Sequence, residues 1–302
     1  MTDTSRVALE GRGVLAIDGP DARAFLQGII TNDIDQVDRA CAIYAALLTP
    51  QGKFLFDFFI ADDGDGGLLL DTRRDRLDTL VERLDFYRLR AKVRIRDVSE
   101  DWRVSALIGD EAARIARLVS RPGNARRAEC SIIMIDPRLA ALGVRVIHPV
   151  NKPVFAEIAD MSPDAYDVHR LDLSVGEATL DFIVEKSFAL ESNFDHLNAI
   201  DFTKGCYVGQ ELTARTRYRG TVRRRLYRVV STDDGSLPDP GTLITAGKTE
   251  IGEMRSSRGT TGIALIRMDR LEEAGDREIR AGTAALVAER PGWFPQDSAP
   301  AD

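Results

Sequence analysis

Residues 202–216 read Phe-Thr-Lys-Gly-Cys-Tyr-Val-Gly-Gln-Glu-Leu-Thr-Ala-Arg-Thr. The stretch puts a thiol (Cys206), a lysine (Lys204), two glycines (Gly205 and Gly209), a tyrosine (Tyr207), an amide (Gln210), a carboxylate (Glu211) and an arginine (Arg215) within a few residues of one another. A thiolate is both a nucleophile and a soft metal ligand. A neighbouring cation such as Lys204 or Arg215, or a helix starting near Gly209, would favour that thiolate over the thiol. Gly205 and Gly209 let the backbone turn in ways other residues resist and let a ligand come close. The plainer alternative for Cys206 is a small buried apolar residue; its polar company argues for the site.

Lys204-Gly-Cys-Tyr-Val-Gly-Gln-Glu211 resembles the signature of the YgfZ family, whose fold is similar to that of the aminomethyltransferase of the glycine cleavage system. The longer pattern, Leu190-Glu-Ser-Asn193 followed by residues 202–216, looks most like the mitochondrial-type branch of that family and its bacterial relatives. The resemblance implies an α+β, aminomethyltransferase-like fold with ferredoxin-like halves around a central cavity, followed by a small C-terminal β-barrel. It also implies a folate-binding accessory factor for iron–sulfur cluster assembly or repair, without classical turnover. Cys206 would then be the reactive residue. One cysteine cannot hold a cluster alone, so a transient iron–sulfur cluster would be shared with a partner, by resemblance an A-type carrier protein. Lys204 and Arg215 would keep the sulfur anionic, while Gln210 and Glu211 would order the loop or bond the folate.

By the same resemblance Asn32 and Asp33 lie near a cavity for tetrahydrofolate or a derivative, although both also suit a polar helix cap. Asp172, in Arg170-Leu-Asp172, falls where the family carries the carboxylate that grips the pterin edge. A carboxylate can accept two N–H donors from such a ring. Here it is Asp rather than Glu, and Leu173-Ser174 replaces the usual Ala-Gly. Glu191 and Asn193 sit beside the same cavity or cap a loop. Two other functions fit parts of the pattern: a tetrahydrofolate-dependent aminomethyltransferase, and an RNA-binding protein linked to tRNA modification. The latter would use the seven arginines at 215, 217, 219, 223, 224, 225 and 228 with Tyr218 and Tyr227. The competing reading of that run is pairing with acids of the first domain.

Composition sets the bounds. With 302 residues, 44% of them hydrophobic, the chain can build more than one core. A net charge of −7 argues against a wholly basic nucleic-acid binder. No apolar run approaches the roughly 20 residues of a membrane span, so no membrane partner is expected. Cys41, Cys130 and Cys206 are odd in number and form no CxxC pair, which suits reduced thiols. The short polar start favours a bacterial cytoplasmic protein over a processed mitochondrial matrix protein. His148, His169 and His196 are isolated and read as structural.

The elements that must position the motif follow from periodicity. Strands are predicted at 14–17, 68–71, 102–108, 132–135 and 144–147. A hairpin is predicted over 41–60, turning at Pro50-Gln-Gly52. On it Lys53 and Asp57 share a face, either paired across a pocket or solvated. Helices are predicted around Phe25–Ile30, over 73–84, over 111–119 capped by Asp110, and from Pro163 to about 175. Short strands between glycines after 223 predict the barrel. The domain reading is two α+β lobes in 1–220 with an internal boundary near 100, a barrel in 221–290, and a frayed tail in 291–302.

Overall fold

The computed structural model describes residues 4–220, 222–233 and 235–295; the expected tail beyond 295 lies outside the described residues. The chain forms two compact units. The first comprises Met1–Pro163 and Leu197–Leu212, the second Asp164–His196 and Thr213–Asp302.

The first unit contains two five-stranded antiparallel sheets. One has the order Ile43–Leu48, Phe54–Asp62, Leu68–Arg73, Arg12–Asp18, Arg94–Asp97. Its central hairpin turns at Pro50-Gln-Gly52 as the sequence predicts, pairing Ile43 with Ile60 and Leu48 with Phe54. Helix Leu77–Arg88 buries Leu77, Leu80 and Leu84, the i, i+3, i+7 stripe of an amphipathic helix. It runs past the predicted end, stopping where Leu89 takes a φ of 46°. The second sheet has the order Ser5–Ala8, Trp102–Ile108, Val144–Pro149, Ser131–Ile135, Ala125–Ala128. The first strand of the chain thus belongs to the second sheet, pairing Ser5 with Ile108, and Arg94–Asp97 completes the first. Val14, Ala16 and Leu69 from one sheet and Val104, Ile132, Met134 and Ile147 from the other share one apolar core. The predicted helix over 111–119 is a single turn, Ala112–Ile115, with no side-chain cap bond, so Asp110 does not cap it. Arg117, at φ 54°, ends its course.

A buried ionic network joins the two sheets of this unit. Asp71, fully buried, accepts from Arg12 Nε at 2.7 Å and from Arg145 Nε at 2.5 Å. Asp136 pairs with Arg138 at 2.9 Å. The guanidiniums of Arg145, Arg138 and Arg12 lie 4.0, 4.9 and 5.4 Å from the centroid of the Phe59 ring. Each guanidinium is thereby both paired with a carboxylate and set against an aromatic ring.

In the second unit, helix Pro163–Asp172 starts at the predicted proline. A closed six-stranded barrel follows, in the order Arg224–Ser231, Thr261–Arg267, Thr249–Arg258, Leu243–Ala246, Ile279–Ala281, Ala284–Glu289. Val229, Ile244, Ile251, Met254, Ala264, Ile266 and Leu286 fill it. Helix Met268–Ala274, which the sequence reading did not foresee, packs Leu271 and Ala274 against that core. The segment before the barrel is tied down by the buried Arg170–Asp181 pair at 2.9 Å, whose other carboxylate oxygen accepts from Ser256 N–H at 2.9 Å.

Removing one partner from a buried charge network strands the others. Asp71→Ala, which orphans Arg12 and Arg145, is expected to cost about 3–5 kcal/mol in urea denaturation. A loss below about 1 kcal/mol would show that the network does not hold the sheets together.

Candidate functional site

The signature stretch is anchored by its lysine. Lys204 is buried, and its Nζ donates to Ile30 O and Asn32 O at 2.7 Å each and to Gln27 O at 2.9 Å. An ammonium has three N–H donors, and all three are matched by carbonyls. Burial pulls the Lys204 pKa down to about 8, opposed by Asp33, Asp201 and Asp35. The carbonyls belong to the end of helix Ala22–Gln27 and the turn after it, where backbone oxygens lack intrahelical partners. Lys204 therefore fastens the stretch to the 27–32 turn, a different task from the expected one of charging the neighbouring thiol.

Asp201 prepares the turn. Its Oδ1 accepts from Thr203 N–H at 2.7 Å, Thr203 Oγ1 at 2.7 Å and Lys204 N–H at 3.1 Å. Sequence reasoning passed over Asp201, although an Asp two residues before a Thr is an Asx-turn signal. Asn32 and Asp33 belong to the same clasp. Asn32 Nδ2 donates to Tyr44 O and Asn198 O, both at 2.8 Å. Asp33 Oδ1 accepts from Gln27 Nε2 at 2.8 Å and caps the short helix Ile34–Gln36 through Asp35 N–H at 3.1 Å. Thr31, also missed, bridges Ala199 O and Ala46 N–H through its hydroxyl at 2.6 and 2.8 Å.

Beyond the lysine the chain emerges. Gly205 and Cys206 are exposed, while Tyr207 is buried, with Lys204 Nζ 5.2 Å from its ring centroid. A Cβ on Gly205 would meet nothing within 4 Å. Gly209 is different: its φ is 86°, and a Cβ would stand 2.5 Å from Thr49 O and 2.9 Å from Leu48 Cβ. Only glycine lets this backbone lie against the 48–52 turn. Gln210 Oε1 accepts from Tyr207 N–H at 3.3 Å, and helix Gln210–Tyr218 begins at that residue. Glu211 is exposed in its first turn, where negative charge suits the helix dipole, and Arg215 is exposed in its last. Asp57, on the hairpin, accepts from Tyr44 Oη at 2.6 Å.

The remaining candidates lie in the second unit. Asp172 is exposed and accepts through Oδ1 from Arg228 Nη2 at 2.8 Å and Thr261 Oγ1 at 3.0 Å. Glu191 is half-buried; burial pushes its carboxyl pKa up against the pull of Arg224, Arg255 and Arg225. Asn193 is fully buried at φ 64°. Its Nδ2 donates to Leu226 O at 2.9 Å, while its Oδ1 has no hydrogen-bond partner among the described residues. Of the basic run, Arg225 makes a two-point pair with Asp195 at 2.5 and 2.8 Å, and Arg228 pairs with Asp172 and Glu289. Asp195 and Asp172 lie within 1–220, as the pairing reading of the run expects, while Glu289 is a barrel residue.

Comparison with known proteins fits this construction. Residues 9–131 match the family model of the GCVT N-terminal domain, and residues 223–296 match that of the CAF17 C-terminal beta-barrel domain. The crystal structure of glycine cleavage system aminomethyltransferase T from Bartonella henselae superposes with a TM-score of 0.76 at 12% identity, covering 95% of this chain and 85% of that one. The fold is therefore aminomethyltransferase-like. Among curated proteins, the mitochondrial iron–sulfur cluster assembly factor IBA57 of Homo sapiens is 34% identical over 95% of this chain and 84% of its own length. That of Mus musculus is 30% identical over the same shares, and the Neurospora crassa homologue is 34% identical over 78% of this chain and 56% of its own. The chain belongs to the IBA57 family.

Two outcomes test the site's construction. Lys204→Met leaves three carbonyls without a donor and is expected to cost about 1–3 kcal/mol in urea denaturation; unchanged stability would contradict the clasp. Cys206 and Cys130 are exposed, whereas Cys41 is half-buried with its thiol pKa raised by burial and by Asp38. Iodoacetamide at neutral pH, followed by peptide mass spectrometry, is expected to label Cys206 and Cys130 at least about tenfold faster than Cys41. Protection of Cys206 would contradict its placement.

Proposed function

We propose that this chain is an iron–sulfur cluster assembly factor in which Cys206 supplies one sulfur ligand to a cluster in transit. The observation that carries the reading is an exposed cysteine held on a segment whose preceding lysine is fastened by three hydrogen bonds. A fixed, accessible sulfur can enter a partner's coordination sphere without first ordering its own loop. Clusters take four protein ligands, usually cysteine thiolates. Among the described residues no group of three His, Cys, Asp or Glu side chains is placed to hold a metal ion, so the remaining ligands come from the partner. The class of partner is a carrier protein that presents cysteines of its own, as A-type carriers do. The cluster is cargo, not a resident cofactor.

Tetrahydrofolate, suggested by the aminomethyltransferase-like fold, suits some of the expected residues better than others. Glu191 offers a half-buried carboxyl with a raised pKa, and Asn193 a buried carbonyl oxygen with an unmet acceptor. Asp172 suits it poorly, since it already serves Arg228 and Thr261. When bound, a folate would bring one-carbon or reducing capacity; Glu191 would accept or donate a hydrogen bond at its ring. Direct RNA contact has less support, because Arg225 and Arg228 are committed to acids within their own unit.

The test is cluster delivery from a loaded A-type carrier to an acceptor apoprotein, followed by visible circular dichroism. Cys206→Ser is expected to reduce delivery to background, while Cys130→Ser, altering the other exposed thiol, leaves it intact. Full delivery by Cys206→Ser would refute the thiol role. In a separate titration, Glu191→Gln is expected to weaken tetrahydrofolate binding by about tenfold, the worth of one charge-assisted hydrogen bond. Equal affinity would remove Glu191 from any folate site.

A further inference from the structure

Helix Leu77–Arg88 ends in a turn whose geometry does not suit its residue. Leu89 has φ 46° and ψ −106°, near the first corner of a type II′ turn at about 60° and −120°, a corner dominated by glycine. Arg88 O accepts from Ala91 N–H at 2.8 Å and closes the turn. The flanking chain is held in place: Arg88 Nη1 donates to Val93 O at 3.1 Å, and Lys92 N–H donates to Asp21 Oδ2 at 2.7 Å. Leu89 is nevertheless 87% exposed, more than any other large apolar residue described, and Phe86, three residues earlier, is 69% exposed. A strained backbone costs stability, and a leucine left in water returns none through burial. Glycine would take the same turn without strain. The fold alone therefore gives no reason for this side chain at this corner.

Cations follow the two apolar tips. Residues 88–96 hold five, Arg88, Arg90, Lys92, Arg94 and Arg96, and no acid, in a chain whose net charge is −7. Arg88 pairs with Asp85 at 3.2 Å, and Arg94 and Arg96 share Asp18 at 2.5 and 3.0 Å. The side chains of Arg90 and Lys92, both exposed, have no hydrogen-bond or ion-pair partner among the described residues. The segment then becomes strand Arg94–Asp97, an edge of the first sheet, paired with Arg12–Asp18 alone and exposing Arg94, Arg96 and Asp97. Strand Ile43–Leu48, which leads into the turn that meets Gly209, forms the opposite edge.

We propose that this turn and the strand edge beside it dock an acidic polypeptide segment that carries apolar side chains. Its carboxylates meet Arg90 and Lys92, its apolar groups cover Leu89 and Phe86, and its backbone adds to the free edge of Arg94–Asp97.

Charge and backbone together decide among occupants. A second copy of the strand would bring Arg94 and Arg96 against like charges, the usual guard of an exposed edge. A lipid surface offers no backbone to pair with the strand. An acidic extended chain matches the cations, the apolar tips and the edge at once. Because the turn is already closed and tied at both ends, little order remains to be imposed on binding. Docking at this edge does not involve Cys206, so the inference stands apart from the role of the thiol.

The test is fluorescence anisotropy of a labelled random copolymer of glutamate and tyrosine titrated with the full chain. Polyglutamate, polyuridylate RNA and vesicles of phosphatidylglycerol and phosphatidylcholine in equal parts serve as comparison probes. Saturable binding of the copolymer, at least about tenfold tighter than that of polyglutamate, supports an acidic partner with apolar groups. Arg90→Gln/Lys92→Gln is expected to weaken it by at least about tenfold, with an unchanged circular dichroism spectrum. Leu89→Gly is expected to weaken it as well, yet to raise the melting temperature, because the strain at the turn is relieved. A lowered melting temperature in Leu89→Gly would show that the side chain serves the fold and would overturn the proposal. So would equal affinity for polyglutamate, tighter binding of the RNA or the vesicles, no saturation by about 1 mM protein, or full binding by either variant.

Discussion

One buried ammonium organises the candidate site. A lysine inside a protein is costly, because the charge gives up its water. Lys204 recovers that cost only where three acceptors converge, and the end of a helix is such a place. Helix Ala22–Gln27 stops after six residues, and the turn that follows presents Gln27 O, Ile30 O and Asn32 O to the ammonium. Side chains of the turn hold those carbonyls in place: Gln27 to Asp33, Asn32 to Tyr44 and Asn198, Thr31 to Ala46 and Ala199. The next two residues, Gly205 and Cys206, are exposed. The same three-residue span thus runs from a fixed, desolvated charge to an accessible sulfur.

The chain re-enters the fold at once. Tyr207 is buried beside the lysine, and Gly209 lies against the 48–52 hairpin turn at a distance that excludes any Cβ. The thiol therefore sits on a short excursion pinned on both sides.

Much of this was legible in the sequence, for local reasons. Apolar runs on either side of Pro50-Gln-Gly52 specify a hairpin, and strand Trp102–Ile108 matched its predicted range because both ends carry clear signals. The barrel was readable from short strands between glycines, though Ile279–Ala281 has three residues and too little pattern to be seen. What the sequence concealed depends on distance. Nothing in Ser5–Ala8 says that its partner lies a hundred residues away, nor that Arg12, Asp71 and Arg145 meet. At the site, the close backbone turn at Gly209 was legible by type and spacing, whereas the carbonyl partners of Lys204 were not. A lysine two residues from a cysteine suggests an electrostatic neighbour; only the fold shows its charge satisfied by carbonyls more than 170 residues earlier. The arginine run was readable as one that pairs with acids of 1–220, but not which acids: Asp195 for Arg225 and Asp172 for Arg228.

The clasp is most directly tested by amide hydrogen exchange across residues 201–209, comparing wild type with Lys204→Arg, which keeps the charge but changes the donor geometry. Three compact donors aimed at three converging carbonyls cannot be reproduced by a planar guanidinium. The amides of Thr203 and Lys204, bonded to Asp201, and of Tyr207, bonded to Gln210, are expected to exchange slowly in the wild type and markedly faster in the variant. Equal protection in both proteins would mean that any cation suffices there and would contradict a geometry-specific anchor.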